Sequence, residues 1–214
     1  AADAGAKYLV LHVSETPLSE LCARPFTTIC DEEVIDATLE LVAALSDVIP
    51  KDCQLLFENL WWPGLTLRRT DLAERLLSRS KHQNCGFLVD TGHLMCTNLD
   101  LVDEADSADF VVAAYRALGS LGKRVYGLHL HQSQSGAYVR TMMNTPGDWR
   151  WPRDSAKISE YVVRVDAHRP FQTEAVRRIV EAIQPEYLVH EFLPATFAEW
   201  EEKVHTQRHA LGWE

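Results

Sequence analysis

Residues 87–93 read Phe-Leu-Val-Asp-Thr-Gly-His, an apolar run that ends at Asp90 and is followed by His93. A short aliphatic run is typical of a strand buried on both faces, as in a parallel sheet covered by helices. Four other apolar runs end in the same way, at His12, Glu58, His129 and Glu191. Because parallel strands that alternate with helices end at one rim, the pattern predicts five strands that bring these side chains together.

Helical periodicity separates the apolar runs. The predicted strands cover 7–13, 53–57, 85–90, 125–130 and 187–189, and the predicted helices cover 31–48, 70–80, 105–118, 173–183 and 196–209. This alternation predicts an α/β protein with a parallel sheet. Ligand-type residues at every strand end further predict a TIM (β/α)8-type barrel with a site at its carboxyl-terminal rim. Residues 1–214 are expected to form a single domain, with a loop over 131–160 and a short apolar piece over 161–165.

The acidic composition argues against a nucleic-acid partner. The 214 residues carry 31 acidic and 21 basic side chains, a net charge of −10 with histidine counted as neutral. This charge repels a phosphate backbone at long range, so a small-molecule substrate is expected and nucleic acid is disfavoured. No stretch approaches the roughly 18 apolar residues that a membrane helix needs, and no signal peptide is recognisable, so no membrane association is expected.

The five cysteines are expected to be reduced thiols, because their number is odd and no C-x-x-C pair occurs. Cys53 and Cys85 each begin an apolar run, which favours a role as small core residues. Reduced thiols predict a cytoplasmic location. The sequence leaves the oligomeric state open.

Eight side chains at or just after strand ends are candidate metal ligands: His12, Glu58, Asp90, His93, His129, Asp166, His168 and Glu191. A mixture of carboxylate and imidazole suits zinc, manganese or a similar divalent ion, whereas an all-oxygen set would suggest calcium or magnesium. A structural zinc site would more often include cysteine. Asp166 and His168 lie two residues apart, which in extended backbone places both side chains on the same side.

A second set of residues is predicted to contact substrate: Asn59, Trp61, Trp62, His131, Trp149 and Arg150. Trp61 and Trp62 follow Glu58 and could stack on a sugar ring or a base, or simply cover the top of the barrel. Trp149 and Arg150 lie in the long loop, which could form a lid that meets an anionic substrate. His190 is expected to face away from Glu191 and to pack among helices.

On these residues the whole chain resembles the xylose-isomerase-like TIM barrels, which include the endonuclease IV type of AP endonuclease (AP endonuclease family 2) and many sugar isomerases and epimerases. In that superfamily successive strands deliver His, Glu-Asn, Asp-x-x-His, His-Leu and a final Glu, matched here by His12, Glu58 with Asn59, Asp90 with His93, His129 with Leu130, and Glu191. The resemblance implies a shared metal core of Glu58, Asp90, His129 and Glu191, which His12, His93, Asp166 and His168 extend toward a multinuclear site.

Asp166 and His168 are the sharper part of this resemblance, because they match a pair that holds an additional zinc in the endonuclease IV type and that sugar epimerases typically lack. Residues 129–133 read His-Leu-His-Gln-Ser, where that type continues with Leu-Asn-Asp-Ser after its histidine. The departure weakens the expectation of nucleic-acid recognition. A full barrel of the family has three strands ahead of the one ending at His12. The resemblance therefore implies that only the C-terminal five βα units are visible and that the domain lacks its first three strands, either by truncation or because they lie outside this sequence.

The resemblance implies a metal-dependent enzyme, and two reactions fit. A multinuclear zinc site would hydrolyse a phosphoester of a small molecule. A single manganese or cobalt ion would instead support a sugar or sugar-phosphate isomerase or epimerase, with Glu58 and Glu191 as the catalytic acid and base. A third interpretation is a catalytically inactive binding barrel. The expected substrate is anionic or sugar-like.

Overall fold

The computed structural model describes residues 5–22, 24–145 and 155–213. Five strands form one all-parallel sheet in which the strand order follows the chain order. The strands are β1 (Tyr8–His12), β2 (Gln54–Glu58), β3 (Cys85–Asp90), β4 (Val125–Leu130) and β5 (Tyr187–His190). The sheet curls into a half-barrel, so that the rings of Tyr8 and Tyr187, at the starts of the two edge strands, lie 4.5 Å apart.

Helices connect the strands and complete the predicted α/β fold. They are α1 (Asp31–Ala44), α2 (Thr70–Arg79), α3 (Thr91–Cys96), α4 (Glu104–Ala117), α5 (Gly136–Asn144), α6 (Ser155–Val165), α7 (Val176–Ile183) and α8 (Phe197–Leu211). The five predicted strands and five predicted helices are all present, with boundaries that differ by a few residues. All five cysteines are free, and four of them are buried, as expected for reduced core thiols.

The centre of the sheet is the driest part of the fold. Every residue of β3 is buried, and Phe57, Phe87 and Leu128 on the three inner strands have no exposed surface. Complete burial of one such side chain contributes about 1.5–3 kcal/mol to stability. The edge strands are more open, since Val10 and Val189 are 38% and 36% exposed. Among the described residues the sheet has five strands, so an eight-stranded barrel stays a prediction.

The segment 131–160 is more regular than its sequence indicates. The prediction of one long loop is wrong, because α5 and most of α6 lie within it, and the apolar piece 161–165 is the last part of α6. Each helix buries a narrow stripe, Val139 in α5 and the four-apart pair Tyr161 and Val165 in α6. Such sparse apolar positions give too weak a 3.6-residue signal to detect in sequence.

Helix α8 closes the fold beside β4 and β5. The fully buried side chain of Gln207 donates to the Leu130 carbonyl at 2.8 Å and accepts from the Phe171 amide at 3.0 Å. It also lies 2.8 Å from Nδ1 of His190. The prediction that His190 packs against a helix is therefore confirmed.

Candidate metal centre

Two groups of potential ligands lie at the carboxyl-terminal rim of the sheet. The first group is Glu58, Asp90, His129 and Glu191, and the second group is His93, His131, Asp166 and His168. Within each group, one nitrogen or carboxylate oxygen per residue lies within 4.8 Å of those of all the others. Seven of the eight predicted ligands thus fall into the two groups, and His131 joins them.

The first group comes directly from strand ends. Glu58 ends β2, Asp90 ends β3, His129 lies next to last in β4, and Glu191 follows β5. Nδ1 of His129 is 2.6 Å from Oε2 of Glu191, 3.4 Å from Oε1 of Glu58 and 3.9 Å from Oδ2 of Asp90. Glu58 and Asp90 are fully buried, whereas a third (33%) of the Glu191 side chain is exposed. The first group is therefore open to solvent at Glu191.

Several atoms of the first group have no hydrogen-bond partner. They are both carboxylate oxygens of Glu58, Nδ1 of His129 and Oε2 of Glu191, four of the eight such buried side-chain atoms in the described part of the chain. Their neighbours are close in distance but lack hydrogen-bond geometry. Buried polar atoms without partners are uncommon in native proteins. A divalent cation bound by this group would satisfy them, so the residues fit a metal.

The second group is built around Asp166. Oδ2 of Asp166 lies 3.2 Å from Nε2 of His93 and 3.2 Å from Nδ1 of His168. Nδ1 of His93 is 2.9 Å from the Asn59 carbonyl, and Nδ1 of His168 is 3.1 Å from the Asp166 carbonyl. Because a carbonyl oxygen only accepts, each Nδ1 carries a proton. A cation would bind at Nε2, once that nitrogen has given up its own proton.

The local backbone explains the Asp-x-x-His spacing. Asp90 is the N-cap of α3, and its Oδ1 accepts the main-chain N–H of His93 at 2.7 Å. This contact satisfies one of the free amides of the first helical turn. It also presents His93 from the helix start, beside the end of β3. Asn59 fixes the same point, since its side chain accepts from the Asp90 amide at 2.9 Å and donates to the Asp90 carbonyl at 3.0 Å.

Asp166 and His168 meet by a turn. The expectation of extended backbone is wrong here, because Asp166 follows directly on α6 and His168 has a left-handed φ of 46°. A left-handed conformation is uncommon for a residue with a side chain. Two main-chain hydrogen bonds between Gln132 and Arg169, of 2.8 and 3.1 Å, hold this turn against the residues that follow β4.

The charges of the site shift the pKa values of its members. Burial alone would raise the pKa of Glu58, but the imidazoles of His12 and His129 lower it to about 2. Burial would lower the pKa of His129, but the carboxylates of Glu191 and Glu58 raise it to about 10. The pKa of His93 is likewise raised to about 10, because surrounding carboxylates outweigh its burial. Without metal, His93 and His129 are thus imidazolium ions paired with the surrounding carboxylates.

His12 lies beside the two groups. Its Nε2 is 3.2 Å from Oε2 of Glu58, its register partner across β1 and β2, and its side chain is 61% exposed. The pKa of His12 is raised chiefly by that carboxylate, against a smaller opposing effect of burial. Its predicted role as a ligand stays a prediction.

The predicted substrate residues differ in how they relate to the site. The ring of Trp61 lies 5.2 Å from that of His93, and Trp62 packs against Trp61 at 4.2 Å. Both tryptophans line a surface cleft of about 740 Å³ that also contains Arg24 and Arg68. Trp149 and Arg150 lie outside the described residues. The side chain of Asn59 is hydrogen-bonded to the main chain of Asp90, and the side chain of His131 is fully buried. Their predicted contacts with substrate stay predictions.

His131 was not predicted as a member of the centre. Its sequence signal is the His-x-His spacing with His129, which places two imidazoles on the same side of an extended segment. Ser133, two residues further on, donates to Oδ1 of Asp166 at 2.9 Å and accepts from the Ala167 amide at 3.0 Å. The end of β4 and the residues after it therefore supply three polar side chains in alternation, His129, His131 and Ser133.

No protein-family model matches the chain, and no curated protein matches it. The described helices include none with the length and apolar character needed to cross a membrane. The geometry of the two ligand groups is therefore the feature that points to a function.

Proposed function

We propose that the chain is a divalent-metal-dependent enzyme of the xylose-isomerase-like barrel type that hydrolyses the phosphoester of a small molecule at a multinuclear centre. The observation that carries the proposal is that the two ligand groups touch. Oε1 of Glu58 lies 3.4 Å from Nδ1 of His93, and Oε1 of Glu191 lies 3.8 Å from Nε2 of His168. Ligand groups in such contact would hold cations close enough to share one substrate.

The residues divide into those that would hold metal and those that would meet substrate. Glu58, Asp90, His129 and Glu191 would bind one cation, and His93, Asp166 and His168 a second. When bound, such cations lower the pKa of water and polarise a phosphoryl oxygen. Mixed imidazole and carboxylate ligands favour zinc.

Glu191 is the member of the first group best placed to contact substrate. Its side chain is one-third (33%) exposed, while those of Glu58 and Asp90 are buried. The neighbouring cleft supplies two aromatic rings and the guanidinium groups of Arg24 and Arg68. These side chains suit an anionic substrate that also carries a ring.

A mononuclear sugar or sugar-phosphate isomerase or epimerase is the second candidate. The observation that favours it is the placement of Glu58 and Glu191 on either side of Nδ1 of His129, at 3.4 and 2.6 Å. Two carboxylates around one cation can move a proton between neighbouring carbons. Manganese or cobalt would then be the expected metal. A binding barrel without catalysis would bind no metal or would bind it without turnover.

Metal analysis of the purified protein, combined with activity assays, separates these candidates. We expect two or more equivalents of zinc and hydrolysis of phosphodiester or phosphomonoester model substrates. His168→Ala should lose one equivalent of zinc and most of the activity, because Asp166 and His93 alone leave the second group incomplete. His82→Gln is the matched control, since His82 is a buried histidine bound to the Cys53 carbonyl, at 2.9 Å, and belongs to neither group.

The isomerase would be favoured if wild-type protein bound one equivalent of metal, His168→Ala retained it, and the enzyme turned over a ketose or aldose. Wild-type protein that contains no metal and turns over neither class of substrate would favour the binding barrel.

A further inference from the structure

We propose that His131 binds no cation itself but is a positioning residue that holds Asp90 and links the two ligand groups. The proposal rests on the metal centre proposed above and assigns to His131 a role other than the substrate contact expected from sequence. Distances alone would make His131 a fourth ligand of the second group. The orientation of its ring and the partners of its nitrogens argue otherwise.

The rings of His131 and His168 are too nearly parallel to share a cation. Their planes differ by 5° and their centroids lie 4.0 Å apart. An imidazole binds metal through a nitrogen lone pair in the plane of its ring. A cation between the rings would lie roughly 2 Å from each plane, the full length of a zinc–nitrogen bond of roughly 2.0–2.1 Å. It would therefore face both rings instead of lying in line with their lone pairs.

The hydrogen bonds decide which of the two rings binds metal. His168 places Nδ1 on a main-chain carbonyl, at 3.1 Å, and keeps Nε2 for a cation. His131 has Nε2 on Oδ2 of Asp90, at 3.0 Å, where the carboxylate can only accept. Its Nδ1 faces the Ser133 hydroxyl at 3.5 Å. Nε2 of His131 is therefore taken by Asp90, and the Ser133 hydroxyl fills the space beside Nδ1.

The surroundings of His131 form a slot that fits this orientation. The side chain is fully buried, and its backbone is held by Thr91, whose hydroxyl donates to the His131 carbonyl at 2.6 Å. Gly92 lies against the ring, since a Cβ added there would be 2.0 Å from Cε1 of His131. Gly92 is in α3 and its φ is not left-handed, so the close approach of the imidazole explains the glycine.

The result is a continuous series of contacts from one ligand group to the other. Asp90 contacts His131 at 3.0 Å, His131 contacts Ser133 at 3.5 Å, and Ser133 donates to Asp166 at 2.9 Å. Asp90 is a ligand of the first group and Asp166 of the second. Loss of the imidazole would release Asp90 and weaken metal binding, while the number of cations bound would stay the same.

The test compares His131→Ala and His131→Gln with wild type and with the control His82→Gln. Zinc content after loading gives the stoichiometry, and competition with a chromophoric chelator gives the affinity. His131→Ala should keep the wild-type number of equivalents with affinity lowered about 10–100-fold, the usual effect of removing a partner of a metal ligand. His131→Gln, whose amide can donate to Asp90 as Nε2 does, should recover most of that affinity.

A spectroscopic arm identifies the ligands directly. In protein loaded with cadmium-113 and labelled with nitrogen-15 at histidine, each ligand imidazole shows a coupling between metal and nitrogen. We expect coupling for His93, His129 and His168, and none for His131, whose signals are assigned by their absence in His131→Gln.

Loss of a full equivalent of metal in both His131 variants, or a cadmium coupling to His131, would overturn the proposal and make it a ligand. Unchanged affinity in His131→Ala would overturn it as well. Wild-type protein that binds metal but hydrolyses no phosphoester would contradict the proposed function while leaving the role of His131 intact. Wild-type protein that binds no metal would overturn both.

Discussion

Replacement of Gly92 by alanine should destabilise the protein, although alanine is the better helix former. Gly92 lies in α3, and in an ordinary helix interior the change to alanine would stabilise by about 1 kcal/mol. Here the added Cβ would lie 2.0 Å from Cε1 and 2.4 Å from Nδ1 of His131. Carbon atoms in contact are about 3.5–4.0 Å apart, so the imidazole or the helix must move by more than 1 Å.

The imidazole has little room for this movement, because it is fully buried and stacked on His168 at 4.0 Å. Overpacking of a buried site costs about 1–3 kcal/mol, and an overlap of this size belongs in the upper part of that range. Subtraction of the gain in helix propensity leaves a net loss of about 1–2 kcal/mol. Urea unfolding of the metal-free protein measures this loss.

His131→Ala supplies the control, because it removes the ring that the new methyl group meets. In that background Gly92→Ala should be neutral or stabilising by up to about 1 kcal/mol, the intrinsic preference of a helix. A double-mutant cycle should therefore give a coupling of about 1–3 kcal/mol, within the range found for residues in direct contact. Gly92→Ala that stabilises wild type, or that destabilises both backgrounds equally, would refute the close packing of Gly92 against His131.

Two further predictions concern stability. The folded-state pKa values of His93 and His129, about 10 against an ordinary 6.5, mean that their stabilisation of metal-free protein is full below pH 6.5 and is lost as the pH rises through 10. The melting temperature of metal-free protein should fall over this range, and a flat profile would contradict the shifts. Gln207→Ala should cost about 2–4 kcal/mol in urea unfolding, because it leaves the buried partners at Leu130 and Phe171 without hydrogen bonds. The exposed Gln83, whose side chain donates to the Ser80 carbonyl at 2.9 Å, is its control, and equal losses at both positions would contradict the assigned contacts.

The strands and the first ligand group could be predicted from sequence because both follow from local pattern. A buried parallel strand is a short aliphatic run, and its end marks the rim, so Asp90 and His129 could be assigned together without any contact being known. Their register confirms the reasoning, since these two residues pair across β3 and β4.

The connections after β4 could not be predicted in the same way. The role of His131 depends on Gly92 and Ser133, and the contact with Gly92 spans almost forty residues that no periodicity relates. The turn at His168 is equally hidden, because its left-handed backbone is held by the pairing of Gln132 with Arg169 and not by a glycine. Contacts between distant segments determine these features, and local propensity is a weak guide to them.

The candidate ligands of the two groups are synthesised in the order in which they lie along the chain. Ligands of the second group end at His168, whereas the first group is complete only at Glu191, 23 residues later. At a synthesis rate of roughly 5–20 residues per second, that interval lasts about 1–5 s. During biosynthesis the last residue of the second group is thus made before the first group is complete, and Glu191, the candidate ligand that faces solvent, is the last of all to be made.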